Sequence, residues 1–138
     1  MLGGDRDHDR PADVLIPNYI NGKSLCVDVT IVDSFRNLSE AASTPGVNLE
    51  RAEKAKQEKY EAELENLGYA FIPFAMESLG GIGKEAKQVL DFVGRALADV
   101  EKCSAAAATR RLHNCIVYSW IRDLGIALTN HGRQGFAG

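Results

Sequence analysis

With 138 residues, 45% of them hydrophobic, the chain is long enough to bury the core of one α/β domain and too apolar to stay disordered. A formal net charge of −3 excludes a global positive field that would draw it to nucleic acid or to an anionic membrane, so any such contact must come from local patches. Three cysteines without a CxxC pair or a flanking histidine cluster give neither a disulfide nor a zinc pattern; with no apolar leader and no apolar run of about 18 residues, an intracellular chain that does not span a membrane is expected.

Residues 1–10 read as a flexible tail, in which the cluster Asp5, Asp7, His8 and Asp9 is solvated rather than a metal site. Residues 12–17 predict a short strand and residues 24–33 (SLCVDVTIVD) a longer one, rich in β-branched side chains. Between them Asn21-Gly22 is a hairpin signal, because both residues accept φ > 0. A two-residue turn there sets Asp13 opposite Thr30, with Asp28 on the diagonal. A slightly longer turn sets Asp13 directly opposite Asp28. In both registers the two carboxylates share a face, since strand side chains alternate with period two. That face holds Asp13, Leu15, Cys26, Asp28, Thr30 and Val32, whereas the other is wholly apolar, so the sheet is expected to be covered on both sides.

Residues 35–46 read as a surface connection ending at Pro45-Gly46. Asn48 is the expected N-cap of a helix over 49–67, with Glu50 and Glu53 in its first turns and Gly68 stopping it. Leu49, Ala52, Lys56, Tyr60, Leu64 and Leu67 form its stripe, which puts a lysine in the middle of the face that should bury. Residues 69–77 (YAFIPFAME) are apolar enough for a central or near-central strand, although Pro73 argues for a bulge or an edge. After a turn over 78–83, helices follow over 84–102 and 104–130, the second carrying Trp120 as a core residue and Arg110, Arg111 and His113 as a solvated basic turn. The expected fold is α/β (α+β): a small mixed sheet whose hairpin bears the acids, covered by helices. Residues 11–81 form the core, 82–131 a helical pair packed on it, and 132–138 a frayed end.

Two carboxylates on a half-buried face repel, and burial adds a desolvation penalty on the order of several kcal/mol per ion unless a positive group lies between them. A divalent cation is the usual solution. Mg²⁺ (or Mn²⁺) takes few carboxylates plus water and phosphate oxygens, and a water acidified by it can attack a phosphodiester. Lys56 or Lys59, reaching down from the helix, could orient or deprotonate that water and stabilise developing charge, and Tyr60 could hydrogen-bond a phosphate or anchor the helix. Glu77 is a further candidate metal or lysine partner, against the plainer reading of a rim glutamate. The plainer alternatives elsewhere are a lysine that snorkels to solvent and an aspartate that caps a turn.

Arg10-Pro11-x-Asp13, Asp28-Val29-Thr30 and Lys56-x-x-Lys59-Tyr60, taken together, resemble the restriction-endonuclease-like domain, of the PD-(D/E)XK superfamily, that follows the reverse transcriptase in site-specific non-LTR retrotransposons. Residues 71–81 (FIPFAMESLGG) are also similar to segments following such motifs. The resemblance implies a metal-dependent DNA endonuclease with Asp13 and Asp28 as metal ligands and Lys56, Lys59 and Tyr60 as catalytic partners. Its implied cofactor is Mg²⁺ or Mn²⁺, its partners DNA and an upstream reverse transcriptase domain, and its location the nucleus where retroelement function is retained. The commonest superfamily form carries its lysine two residues after the second acid, where this chain has Thr30, so the helix must supply it. A helix and a strand usually precede the first acid, and nine residues precede Arg10, so the expected core is incomplete at its N-terminus. The alternative is a catalytically dead retroelement remnant acting as an interaction or DNA-binding module.

Overall fold

A computed structural model describes residues 12–135. The elements run β1 (Val14–Ile20), β2 (Lys23–Val32), α1 (Leu38–Ser43), α2 (Val47–Asn66), β3 (Ala70–Glu77), α3 (Lys84–Glu101) and α4 (Ala105–Gly135). The cluster Asp5, Asp7, His8 and Asp9, the Arg10-Pro11 pair and residues 136–138 lie outside the described residues.

Asn21 (φ 48°) and Gly22 (φ 78°) both occupy the left-handed region, which a two-residue hairpin turn of matching twist requires, and Ile20 pairs with Lys23 across it. Asn18 (φ 55°) is left-handed as well, and the register shifts between Ile16 and Ile20. Asparagine tolerates that conformation, and Pro17 beside it has no N–H to lose from the ladder. Beyond the irregularity Val14 pairs with Val27 and Ile16 with Leu25. Both registers anticipated from the sequence are therefore present in part: the short turn is made, and the bulge then gives the pairing of the longer one. Continued by one step, marked by the 3.0 Å bond from Asp13 N–H to the Val27 carbonyl, this register sets Asp13 opposite Asp28.

β3 joins β2 in parallel, from Leu25 against Ala70 to Val32 against Glu77, giving a mixed sheet in the order β1-β2-β3. Period two then sorts the side chains. Leu25, Val27, Ile72, Phe74 and Met76 pack against Ala86, Val89 and Leu90 of α3, with Leu112, Ile116 and Trp120 of α4 closing that cluster. On the opposite face Cys26 and Phe71 pack against Leu64 of α2, with Tyr60 at the margin. Fully buried side chains such as Leu25 and Leu64 contribute about 1.5–3 kcal/mol each. β3 is an edge strand of this sheet rather than a central one. Its apolar run reflects helices on both faces, and Pro73 is fully buried at an edge where no further ladder bond is demanded of it.

Three further elements depart from the sequence expectation. A six-residue helix, α1, interrupts the connection after β2. α2 begins at Val47, with Gly46 as N-cap, so Asn48 is inside the helix; it is buried, and its Nδ2 donates to the Arg36 carbonyl at 2.7 Å. α4 continues past residue 130 to Gly135, and Leu67, expected on the buried stripe of α2, is 64% exposed because the helix has ended at Asn66. No helix among the described residues is long and apolar enough to cross a membrane.

Glu53 is buried, although the stripe of α2 does not include it. Its Oε1 accepts the Glu85 N–H at 3.0 Å, capping α3 from another helix at an end where Gly83 offers no side chain. Desolvation holds its carboxyl above the ordinary carboxylate range, opposed by the N–H groups of Glu85 and Ala86. With the folded-state pKa raised, the folded chain binds the proton more readily than the unfolded one. The associated stability is complete below the unfolded pKa and is lost as pH rises through the folded value. Glu53→Gln keeps an acceptor and drops the charge, so its stability relative to the parent chain is expected to rise from about pH 4 to about pH 7, read as a urea midpoint difference. A difference constant over that range would remove the electrostatic account. Glu53→Ala, which also loses the cap, is expected to be destabilised by about 1–2 kcal/mol.

Candidate functional site

Lys56 follows Leu49 by seven residues and precedes Leu64 by eight, about two helical turns each way, so the two buried leucines that anchor α2 force the lysine toward the sheet. Directly beneath it is Asp28, whose side chain is 14% exposed, against 29% for Lys56. Lys56 Nζ lies 2.6 Å from Asp28 Oδ2. The approach has the length of an ion pair without the angles of a hydrogen bond, and Oδ2 is buried with no hydrogen-bond partner. Thr30, two residues along on the same face, likewise has a buried Oγ1 without a partner.

Asp13 stands at the edge of this pair. Its Oδ2 accepts the Val29 N–H at 2.8 Å, extending the ladder by a side chain where the backbone of β1 has not yet begun. Its other carboxylate oxygen makes no hydrogen bond among the described residues.

The Tyr60 ring sits beside both candidate amines, with Lys56 Nζ 5.5 Å and Lys59 Nζ 4.8 Å from its centroid. Phe71 supports it in a tilted contact at 6.0 Å. Lys59 itself is exposed. The adjoining Tyr60 hydroxyl, and more weakly the Asp28 charge, hold the Lys59 ammonium above its ordinary range, so it is a fixed cation at neutral pH rather than a proton acceptor. Burial pushes the Cys26 thiol up, which makes it an inert neighbour on the same face.

Glu77 is not brought to this group. It pairs with Val32, four residues beyond Asp28 and therefore about 13 Å along the strand direction, and its carboxylate is packed against Gly81, where a Cβ would stand 2.7 Å from Oε2. Among the described residues no set of three or more His, Cys, Asp or Glu side chains is placed to hold a metal ion. The expectation of Glu77 as a third ligand is corrected accordingly: the length of β3 carries it past the site.

At the C-terminal end of β2 a cavity of about 580 Å³ opens beside the acid face, lined by Thr30, Asn48, Arg36 and Arg51 among others. Strand parity had already put Thr30 on the acid face. Arg36 and Asn48 carried no such signal, being read as connection and cap, and nothing in the sequence singled out Arg51. Arg51 is anchored by Glu40 through both terminal guanidinium nitrogens, Nη1 at 2.9 Å. Glu40 is held below the ordinary carboxylate range, first by that hydrogen bond and then by the Arg51 charge.

Asp13 and Asp28 are the carboxylates that could serve a magnesium or manganese ion, which takes few carboxylates and completes its shell with water and phosphate oxygens. Asp28 Oδ2 makes no hydrogen bond of ordinary geometry but has the Lys56 ammonium 2.6 Å away, which offsets its charge on this half-buried face. Comparison with family models, curated proteins and solved structures gave no match.

Proposed function

We propose that the chain is a metal-dependent DNA endonuclease domain of the restriction-endonuclease-like kind, derived from a site-specific retroelement. The observation that carries this reading is the half-buried Lys56–Asp28 pair, with Asp13 in register alongside it. The order of elements supports it too: a hairpin bearing both acids, then a lysine-bearing helix, then a strand parallel to the second hairpin strand. Thr30 stands where the commoner form has lysine, and Lys56 supplies the amine from α2 instead.

In this reading Asp13 and Asp28 would hold Mg²⁺ or Mn²⁺, which when bound would supply an acidified water and a positive charge against the phosphodiester. Lys56, beside Asp28, would orient the attacking water and face the phosphate. Lys59 keeps its proton and adds positive charge to the developing oxyanions. The Tyr60 ring lies beside both amines. The partner is DNA, and the natural companion is a reverse transcriptase domain acting in the nucleus.

Supercoiled plasmid incubated with the purified chain is expected to convert to the nicked form with Mg²⁺ or Mn²⁺ and to stay intact with EDTA. Intact plasmid under both metals overturns the reading. One observation favours the second reading, a remnant without activity: Asp13 already binds the Val29 N–H and Asp28 already pairs with Lys56, so the acids are partly satisfied without an ion. Calorimetric titration of Mg²⁺ and Mn²⁺ separates the two. Saturable binding supports the nuclease, and no heat of binding supports the remnant.

A further inference from the structure

Lys87, Arg95 and Arg110 line a cavity of about 560 Å³ along the seam between α3 and α4, on the side of the sheet away from Asp28. Three cations meet there the single carboxylate of Asp91, on a chain whose net charge is −3. None of the three has an acidic partner at ion-pair distance among the described residues, whereas the neighbouring Arg111 is paired with Glu101. Arg95 Nε only donates to the Asp91 carbonyl, at 3.2 Å. Helical spacing accounts for the cluster: Lys87, Asp91 and Arg95 recur every fourth residue on α3, and Arg110 and His113 are three apart on α4.

His113 lines the same cavity, and its Nε2 is buried without a hydrogen-bond partner. The floor is apolar, with Ile82 and Leu90. At one end α4 begins: Ser104 takes the N–H groups of Ala107 and Ala108, and leaves those of Ala105 and Ala106, which border the cavity, without an acceptor inside the helix. Cationic rim, apolar floor and the free N–H groups at the start of α4 together describe a ligand with an anionic head and a compact apolar body.

We propose that this seam is a binding site for a phosphate monoester carrying a small apolar or aromatic group. The guanidinium groups of Arg95 and Arg110 take the phosphate oxygens, Lys87 adds a point charge, and the body rests on Leu90 and Ile82 beside His113. The site is independent of the nuclease reading and stands if that reading fails.

Calorimetry with phenyl phosphate, inorganic phosphate and phenol tests it. Phenyl phosphate is expected to bind saturably and about tenfold more tightly than inorganic phosphate, with no measurable binding of phenol. The double variant Arg95→Gln/Arg110→Gln, checked for native circular dichroism, is expected to weaken phenyl phosphate at least about tenfold. Lys54→Gln, which removes a positive charge from α2 on the other side, is expected to leave the affinity unchanged. If the double variant does not fold, His113→Leu carries the test, with a loss of affinity expected. Absence of saturable phenyl phosphate binding, or unchanged affinity in the folded variant, overturns the proposal. So does a double variant that loses affinity only for a short DNA duplex with which phenyl phosphate does not compete, since the seam would then be a nucleic-acid surface.

Discussion

Asp28→Ala is expected to reduce magnesium-dependent nicking of DNA by roughly a thousandfold or more while leaving the far-UV circular dichroism of the chain intact. The substitution removes one of two carboxylates that the proposed ion would use, and no third acid among the described residues is placed to replace it. It also leaves the Lys56 ammonium without its counter-ion. Removing one partner of a fully buried pair costs about 3–5 kcal/mol, but the Lys56 side chain is 29% exposed and can swing its amine to water along a four-carbon stem. A stability loss of about 1 kcal/mol is therefore expected, too small to account for lost cleavage. Asp28→Asn separates the two effects further, because it keeps the shape and loses the charge. Undiminished nicking by Asp28→Ala would end the catalytic assignment. Lys56→Met is the informative complement: it removes the amine, leaves Asp28 free for the ion, and is expected to lower cleavage while retaining metal binding.

The arrangement behind that prediction was legible in the sequence to the extent that it depends on periodicity. Alternation along residues 24–33 separates Val27 and Val29 from Asp28 whatever the strand pairs with, and spacing along α2 puts Lys56 between Leu49 and Leu64. What periodicity does not carry is translation along an element. The register of the hairpin turns on Asn18 adopting a left-handed conformation that asparagine permits but does not demand. Glu77 has the parity of the acid face and the wrong height on it. Glu53 buries because the start of α3 needs an acceptor, a requirement set by an element thirty residues away and absent from the local pattern of α2. β3 read as central or near-central because an apolar run records burial on both faces and is silent on whether strands or helices provide it, whereas Pro73 carried the signal of an edge.

Gly94→Ala is expected to destabilise the chain by about 3 kcal/mol, a fall in melting temperature on the order of 10 °C. Helix propensity alone predicts the opposite sign, since alanine is favoured over glycine by about 0.8–1 kcal/mol in a helix interior. Packing decides the outcome. Gly94 is buried where α3 crosses α4, and a Cβ there would collide with Thr109 Oγ1 and stand 2.9 Å from Thr109 Cβ and 3.0 Å from its Cα. The last of these is backbone, so the strain is relieved only by parting the helices, and Ala98 and Ala108, both buried along the same seam, lose contact as they part. Thr109→Ala removes the hydroxyl but not the Cβ or Cα, and in combination with Gly94→Ala it is expected to restore less than half of the loss. Gly125→Ala in α4 is the matched control, because nothing lies within 4 Å of the added methyl group, and a gain of up to about 1 kcal/mol is expected from propensity alone. Thermal melts of the four variants give the comparison. A Gly94→Ala chain as stable as Gly125→Ala would mean that α3 and α4 do not approach as closely as their side chains require here, and would take the cationic seam between them out of consideration as a shaped site.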